Sequence, residues 1–249
     1  LPDGARVESV SMRTPKRLTF CISSQVGCAL KCAFCATGLM GLKRNLRAEE
    51  IVAQVMAMGD FLDWEDDRFN IVFMGMGEPL ANLPAVADAI RILHDDHGIH
   101  LGARRITVST SGLVPQIREL ATLGLQVGLA ISLHATTDEL RDQLVPVNKR
   151  WPIAELLDAA REYSHTVGRR TTLEYTLLGG VNDSPADADR HRRADRGGGR
   201  ARRRRRSLPR RRIRANPTGA SFATPSVPRP TRPMVAVLPS RSALAASSA

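Results

Sequence analysis

Two hydrophobic patterns alternate along residues 18–178. Short runs rich in β-branched and aromatic residues are separated by longer stretches in which apolar residues recur every three or four positions, such as Ile51, Val55, Met58 and Leu62. The short runs predict strands at 18–22, 70–75, 105–109, 127–133 and 171–178. The longer stretches predict helices near 46–62, 83–97, 114–123, 137–144 and 152–167.

The regular alternation of strands and helices predicts an α/β fold. Strands joined by helices form right-handed crossovers, so we expect a parallel sheet that is either open or closed into a barrel. Several of the strands are apolar at consecutive positions, which is typical of strands covered on both faces. In both architectures functional side chains collect at the carboxyl ends of the strands, and we expect them just after each predicted strand.

The alternation stops in the last quarter of the chain. Ser184 and Pro185 predict a helix start, because a capping hydroxyl is followed by Pro at the first helical position. Residues 190–214 then hold 14 Arg in 25 positions, and 215–249 is a Pro-, Ser- and Ala-rich run without periodicity. Because such sequence cannot bury enough apolar area to offset its ordering entropy, we predict a disordered tail over 190–249.

The net charge is unevenly distributed. The chain has 36 Lys and Arg against 25 Asp and Glu, a formal net charge of +11, which by itself suggests a nucleic-acid-binding protein. Residues 190–249, however, hold 17 Arg and one acid, whereas residues 1–189 hold 19 basic and 24 acidic residues, a net charge of −5. The basic character therefore belongs to the tail, which could be read as an Arg-rich nucleic-acid-binding arm.

The four cysteines, Cys21, Cys28, Cys32 and Cys35, all fall within fifteen residues. A disulfide scaffold spreads its cysteines to join distant loops, so this clustering indicates metal or redox chemistry in a reducing compartment. The last three form a C-x3-C-x2-C motif, which suits three irons of a cubane cluster whose fourth iron stays open for a ligand outside the protein. The alternative is a structural zinc site with Cys21 as the fourth thiolate.

The sequence contains no signal for a membrane or for secretion. The first twenty residues lack the apolar core of a signal peptide, and no run approaches the ~18 apolar residues that span a bilayer. We therefore expect a cytoplasmic protein without a membrane partner. Because the chain begins with Leu1 in sequence typical of a domain interior, we also expect it to be a fragment.

Five strings of the sequence together resemble one family, namely CISSQVGCALKCAFCATG, FMGMGEPL, ITVSTSGLVP, LAISLHA and YTLLGGVND. The chain is similar over residues 4–189 to the RlmN family of radical S-adenosylmethionine (SAM) RNA methyltransferases. The resemblance implies a partial (β/α)6 barrel, here incomplete with about five βα units. It divides the chain into a remnant of an N-terminal accessory region at 1–13, a radical SAM core at 14–189, and the aberrant tail at 190–249.

The family also implies two cofactors and their ligands. Alone, a Gly-rich turn, a Ser at a strand end or a single His is more often structural than functional. By resemblance, Cys28, Cys32 and Cys35 bind a 4Fe-4S cluster. The family's SAM contacts fall on Gly77, Glu78, Ser109, Ser132, Leu133 and His134.

Two further residues acquire catalytic roles only through the resemblance. Cys21 alone would be a small buried hydrophobe, but in the family it is the thiol that resolves a cysteine-linked adduct by forming a disulfide. Glu8 alone would be a surface carboxylate, but it matches the family's proposed acceptor of the adenine proton. The cysteine that carries the methyl group in the family has no counterpart after residue 189, so we expect this chain to be inactive in methyl transfer.

The resemblance implies methylation of adenine at position 2 in 23S rRNA, with tRNA as a second candidate substrate. The implied partners are the RNA and a reducing electron donor such as a flavodoxin. Three alternatives remain: the related antibiotic-resistance enzyme that methylates position 8, a glycyl-radical activating enzyme, and a non-catalytic Arg-rich nucleic-acid-binding fragment. The abrupt loss of pattern suggests that residues 190–249 are translated from a shifted reading frame.

Overall fold

The computed structural model of the chain describes residues 1–15, 17–59 and 68–196, with side chains described up to residue 192. The strands are β1 (Val10–Thr14), β2 (Arg17–Cys21), β3 (Gln25–Gly27), β4 (Leu42–Asn45), β5 (Phe69–Phe73), β6 (Ile106–Thr110), β7 (Gly128–Ser132) and β8 (Thr172–Glu174). The α-helices are α1 (Ala36–Leu39), α2 (Ala48–Gly59), α3 (Leu83–His94), α4 (Val114–Thr122), α5 (Asp138–Leu144), α6 (Ile153–Val167) and α7 (Pro185–Arg196).

Six of these strands form one sheet in the order β1-β2-β5-β6-β7-β8. Each pair from β2 to β8 is parallel, and the connections from β5 onward contain α3, α4 and α6. β1 joins the outer edge antiparallel to β2. The predicted α/β fold with a parallel sheet is therefore confirmed, and the five parallel strands of the described chain match about five βα units of an incomplete barrel.

The two faces of the sheet differ in polarity. In β5 the side chains of Phe69, Ile71 and Phe73 are buried in the hydrophobic core, whereas Asn70 and Val72 on the opposite face are half-buried. In β6 the parallel register places Ile106 and Val108 on the same face as Ile71 and Phe73, but Val108, Ser109 and Thr110 are buried at three successive positions. Among the described strands only β7 is buried at four successive positions. The expectation of strands buried at consecutive positions therefore fits β7 and the end of β6 but not β5, and the face opposite the core carries the polar side chains of Asn70 and Ser109.

The last strand is shorter than its sequence pattern predicts. β8 ends at Glu174, although the apolar and β-branched pattern extends to residue 178. Asn182 explains the difference, since its side-chain amide donates to the carbonyl of Thr176 at 2.8 Å and its Oδ1 accepts from the Leu178 N–H at 2.6 Å. A buried side chain therefore binds backbone groups that a longer strand would pair with a neighbour.

Three short elements around the cysteines had no clear sequence signal. β3 and β4 pair antiparallel, and the loop between them contains the cysteine motif and the single turn of α1. The two strands approach closely at Gly27, whose φ is +81° and where a Cβ atom would lie 1.8 Å from the Gly41 carbonyl oxygen. Only glycine fits there, because it has no Cβ and tolerates positive φ.

Both predicted domain boundaries fall inside regular structure. The limit between an accessory remnant and the core lies within β1, which pairs with β2 through Val10 and Cys21. At the other end, α7 begins at Pro185 as predicted and continues to Arg196, so the first residues of the predicted disordered tail are helical. The rest of that tail lies outside the described residues. No helix within the described ranges is long and apolar enough to cross a membrane.

Candidate cofactor site

The three cysteines of the motif lie on the loop that follows β3. Cys28 comes directly after the strand and donates its N–H to the Gly41 carbonyl at 3.1 Å, which closes the base of the loop. Cys35 precedes α1 and donates to the carbonyl of Cys32 at 3.0 Å. A further bond, from the Ala33 N–H to the Leu144 carbonyl at 2.9 Å, fastens the loop to the end of α5.

The thiols of these cysteines share one electrostatic environment. Burial raises the pKa of Cys32 to about 11, and the charges of Cys35, Cys28 and Glu78 also act to raise it, whereas a hydrogen bond from Ser111 lowers it. The pKa of Cys28 is likewise raised, first by burial and then by Glu78 and Cys35. As thiolates, these three sulfur atoms would repel one another. Bound iron would neutralise that repulsion, so the three cysteines suit the ligands of an iron–sulfur cluster.

The described residues contain no group of three or more His, Cys, Asp or Glu side chains that converge on a single metal ion. A cubane cluster differs from a mononuclear site, since each thiolate binds a different iron. Assignment of Cys28, Cys32 and Cys35 to a cluster therefore remains a prediction, and the chemistry of the donor set is compatible with it.

Cys21 stands apart from the other three cysteines. It is the last residue of β2, and its pKa is raised by burial and by the charge of Glu174, while a hydrogen bond with the Met74 backbone lowers it. Among the described residues no three His, Cys, Asp or Glu side chains are placed to hold one metal ion, which disfavours the alternative of a zinc site with four thiolates.

Glu78 lies at the carboxyl end of β5 with its carboxylate fully buried. Oε2 accepts from the Ser111 N–H at 2.8 Å, and Oε1 accepts from the Leu80 N–H at 3.1 Å. Burial raises the pKa of this carboxyl, although the hydrogen bonds oppose the rise. Among the described residues no cationic side chain forms an ion pair with Glu78, so an ammonium group of a ligand would find an unneutralised partner here.

Gly77 allows Gln25 to pack closely against the backbone of the site. Its φ is +102°, and a Cβ atom at this position would lie 2.6 Å from the Cβ of Gln25. Gln25 in turn accepts the Glu78 N–H with Oε1 at 2.8 Å and donates through Nε2 to Asn45 at 2.7 Å. The absence of a side chain at Gly77 therefore makes room for Gln25, the residue that orients Glu78.

The ends of β6, β7 and β8 bring three polar side chains together. The Oγ atoms of Ser109 and Ser132 lie 3.4 Å apart, and Ser109 donates to Oε2 of Glu174 at 3.1 Å. All three occupy the polar face of the sheet, opposite the hydrophobic core. The sequence motifs predicted Ser109 and Ser132 as site residues, whereas Glu174 was missed because the predicted strand extended past it.

Leu133 and His134 follow β7 and close the same rim. Both backbone N–H groups donate to the Glu174 carbonyl, at 3.0 and 3.3 Å, and His134 has a positive φ of 55°. The Nδ1 atom of His134 accepts from the Thr176 N–H at 3.1 Å, which leaves the ring proton on Nε2. Burial lowers the pKa of His134 to about 4, so the ring is neutral at pH 7. The His134 ring packs edge-to-face with Phe34 of the cysteine loop, with ring centroids 4.7 Å apart.

Glu8 is exposed and lies on the segment that leads into β1. Its carbonyl accepts a 2.7 Å hydrogen bond from the Ser23 hydroxyl, and two residues later Val10 pairs with Cys21. The backbone of Glu8 is therefore held beside the end of β2. Its carboxylate makes no hydrogen bond with another of the described residues.

Two central residues of the site carried no motif signal. Ser111 donates its N–H to the Glu78 carboxylate, and Arg141 is a fully buried arginine on α5 that donates to the Ser111 carbonyl. Ser111 lies inside the string ITVSTSGLVP, but nothing in that string distinguishes it from Ser109. Arg141 occupies an amphipathic helix, where an arginine is normally a solvated residue.

Comparison with known proteins supports the radical SAM assignment that the fold and the cysteine motif indicate. A family model described as the radical SAM superfamily matches residues 22–191. The solved radical SAM methyltransferase from Sphaerobacter thermophilus superimposes with a TM-score of 0.75 and 55% sequence identity, covering 78% of this chain and 57% of that protein. The chain belongs to the radical SAM superfamily.

Within this superfamily the chain is similar to RNA methyltransferases of the RlmN type. It is 54% identical over 200 residues to the probable dual-specificity RNA methyltransferase RlmN of Parafrankia sp. (strain EAN1pec), an alignment that covers 75% of this chain and 52% of the relative. The corresponding protein of Mycolicibacterium paratuberculosis is 56% identical over 191 residues, covering 75% and 52%. The family resemblance is confirmed, and the chain spans about half the length of the curated relatives it matches.

Proposed function

We propose that this chain forms the cofactor-binding part of a radical SAM enzyme that methylates position 2 of adenine in 23S rRNA, with tRNA as a second substrate. One observation carries the proposal: Phe34 of the cysteine loop contacts the ring of His134, which follows β7, with ring centroids 4.7 Å apart. The proposed cluster loop and the strand ends that would bind SAM are thus in direct contact. The RlmN-type relatives, named as dual-specificity RNA methyltransferases, support an RNA substrate.

The cluster would be held by Cys28, Cys32 and Cys35 through three of its irons, which leaves the fourth iron open. When bound, the reduced cluster supplies the electron that cleaves SAM and starts radical chemistry. The chain's own contribution is to hold the three thiols on one loop, which hydrogen bonds at Gly41 and Leu144 fasten to β4 and α5. A soluble one-electron donor such as a flavodoxin would supply the electron in the cytoplasm.

The SAM contacts proposed for this chain differ in the chemical group that each residue offers. Glu78 would accept a hydrogen bond from the ammonium group, since its buried carboxylate has no cationic partner among the described residues. Ser109 and Ser132 offer hydroxyl groups on the polar face, and neutral His134 offers an Nε2–H donor. Gly77 and Leu133 contribute backbone groups whose positions are set by Gln25 and by the Glu174 carbonyl.

The roles proposed for Cys21 and Glu8 require a second cysteine. Cys21 would form a disulfide with the methyl-carrying cysteine and thereby release the product, and Glu8 would accept the proton lost from adenine. Apart from Cys21 the chain holds only the three motif cysteines, so the methyl-carrying thiol has to come from outside this sequence. We therefore propose that the 249-residue chain by itself does not complete methyl transfer.

The first test is anaerobic reconstitution with iron and sulfide. We expect about four irons per chain, lost in the Cys28→Ala variant. Cys21→Ala is the matched control, because it removes a thiol at the end of β2 that is not part of the C-x3-C-x2-C motif. Retention of iron in Cys21→Ala together with loss in Cys28→Ala supports the assignment, whereas one zinc per chain in the wild type contradicts it.

The second test measures turnover under reducing conditions. We expect the reconstituted chain to convert SAM to 5′-deoxyadenosine without forming methyladenine on a 23S rRNA fragment, whereas the full-length Parafrankia relative forms 2-methyladenine. Methyladenine made by the chain alone contradicts the need for an outside thiol. A product methylated at position 8 would instead favour the antibiotic-resistance type of enzyme.

A further inference from the structure

Arg141 is a fully buried arginine that holds together the ends of two strands. It lies on α5, and its Nε donates to the Leu133 carbonyl at 3.0 Å. Its Nη2 donates to the carbonyls of Ser132 at 3.0 Å and Ser111 at 2.7 Å. One planar guanidinium therefore fixes the segments that follow β6 and β7, from which the proposed SAM contacts come.

The positive charge of Arg141 has no direct counterion in the described chain. Nη1 donates to Oδ1 of Asn148 at 3.0 Å, and the Nδ2 of Asn148 donates onward to Asp138 at 3.0 Å and Asp142 at 2.7 Å. The carboxylates are thus separated from the guanidinium by one amide. Burial lowers the pKa of Arg141 to about 10, while Cys32 and the two aspartates oppose this change.

A buried cation that lacks a direct ion pair costs several kcal/mol of desolvation, and apolar residues of similar volume would avoid that cost. Hydrogen bonds to three carbonyls satisfy the donors but do not neutralise the charge. The cysteine loop could supply further negative charge, because the Ala33 N–H fastens it to the Leu144 carbonyl at the end of α5 at 2.9 Å and Cys32 interacts electrostatically with Arg141. An anionic cluster with three thiolates would supply the missing negative charge.

Ser111 connects Arg141 to the proposed SAM site. Its carbonyl accepts from Arg141 at 2.7 Å, and its N–H donates to Glu78 at 2.8 Å. Displacement of the guanidinium would therefore disturb the position of the proposed ammonium acceptor.

We propose that Arg141 is a positioning residue with an electrostatic function: it orients Ser111, Ser132 and Leu133 for SAM, and its charge makes reduction of the neighbouring cluster easier. The inference rests on the proposed function, because it requires a cluster on the cysteine loop. A positive charge near a redox centre stabilises the form that has gained an electron. The Arg141→Met variant keeps most of the volume but removes the charge and all the donors.

The experiment compares the full-length wild-type chain with its variants after cluster reconstitution and without SAM. Each sample is held at the redox potential that reduces half of the wild-type cluster. Electron paramagnetic resonance then measures the reduced fraction. We expect the ratio of reduced to oxidised cluster to fall at least threefold in Arg141→Met, and to return largely towards the wild-type value in Arg141→Lys, which keeps the charge. Arg91→Met on α3 removes an exposed positive charge and serves as the matched control, with an unchanged ratio.

A second variant tests the electrostatic function even if Arg141→Met does not fold. Asp142→Asn is isosteric, keeps the Oδ1 acceptor for Asn148 and removes one negative charge near Arg141, so it should raise the reduced-to-oxidised ratio. An unchanged ratio in Asp142→Asn, or in a folded Arg141→Met, overturns the electrostatic function.

The SAM dissociation constant is measured separately for each reconstituted chain. Arg141→Lys should bind SAM at least tenfold more weakly, because an ammonium cannot reproduce the fork of donors to three carbonyls. Wild-type affinity in Arg141→Lys overturns the positioning function. Failure of the wild-type chain to bind iron would instead refute the proposed function, and iron counting distinguishes that result.

Discussion

The N–H of Ser111 donates a 2.8 Å hydrogen bond to Oε2 of Glu78, across 33 residues of sequence. Glu78 follows β5 and Ser111 follows β6, so this bond joins the ends of adjacent parallel strands at one rim. It also partly offsets the burial that raises the pKa of the Glu78 carboxyl. The buried carboxylate is held in place by backbone donors and remains available to a cationic ligand.

Glu78→Gln should weaken SAM binding by at least tenfold, which corresponds to about 1.4 kcal/mol. The amide keeps the approximate shape of the side chain but loses the charge that would attract an ammonium group. Isothermal titration of the reconstituted chain with SAM measures the change. Glu139→Gln on the exposed start of α5 is the control and should bind SAM normally, while wild-type affinity in Glu78→Gln would rule out the ammonium contact.

Gly77→Ala should lower the free energy of unfolding by about 2–5 kcal/mol, because a positive φ disfavours alanine and its methyl group would overlap Gln25. Gly102→Ala is the matched control, since no atom lies within 4 Å of the position that its methyl group would take and φ is −55° there. Its stability should stay within about 0.5 kcal/mol of wild type. Urea unfolding followed by circular dichroism measures both, and equal stabilities would contradict the steric explanation.

The free energy of unfolding should decrease as the pH falls from about 6.5 to about 4, because of His134. Burial lowers its folded-state pKa to about 4 from an ordinary value of 6.5, so in this range the unfolded chain binds the additional proton. The loss from this residue approaches about 3–4 kcal/mol and is complete about one unit below pH 4. Urea unfolding at several pH values measures it. His134→Asn, which keeps an acceptor for the Thr176 N–H, should remove this part of the pH dependence, and an unaltered profile would refute the assignment.

Asp187→Asn should destabilise the packing of α7 by about 1–3 kcal/mol. The Asp187 carboxylate accepts from the Thr136 hydroxyl at 2.7 Å and from Ser184 at the start of the helix, and these bonds lower its pKa to about 2. Its contribution is therefore present above pH 4 and is lost as the pH falls towards 2. Asp189→Asn, two residues further on at an exposed position, is the control and should change stability by less than about 0.5 kcal/mol. Thermal unfolding at pH 7 compares them, and equal midpoints would contradict the prediction.

The regular elements were predictable because their signals are local. The buried positions of α3 and α6 recur every three or four residues, and all five predicted strands overlap parallel strands of the sheet. These local signals did not predict the structure where a residue distant in sequence changes it. Asn182 ends β8 early, and the approach of β4 to Gly27 creates a hairpin that has no periodicity of its own.

The sequence by itself determined the order of strands and helices, the cysteine motif and the positions of the family motifs, because each depends on neighbours within a few residues. Only the tertiary structure decided that Ser109 meets Glu174 across 65 residues, that Gly77 packs on Gln25, and that Arg141 is buried. These contacts depend on the register and order of parallel strands. Residues far apart in the chain therefore become neighbours at one rim without leaving a pattern in the sequence.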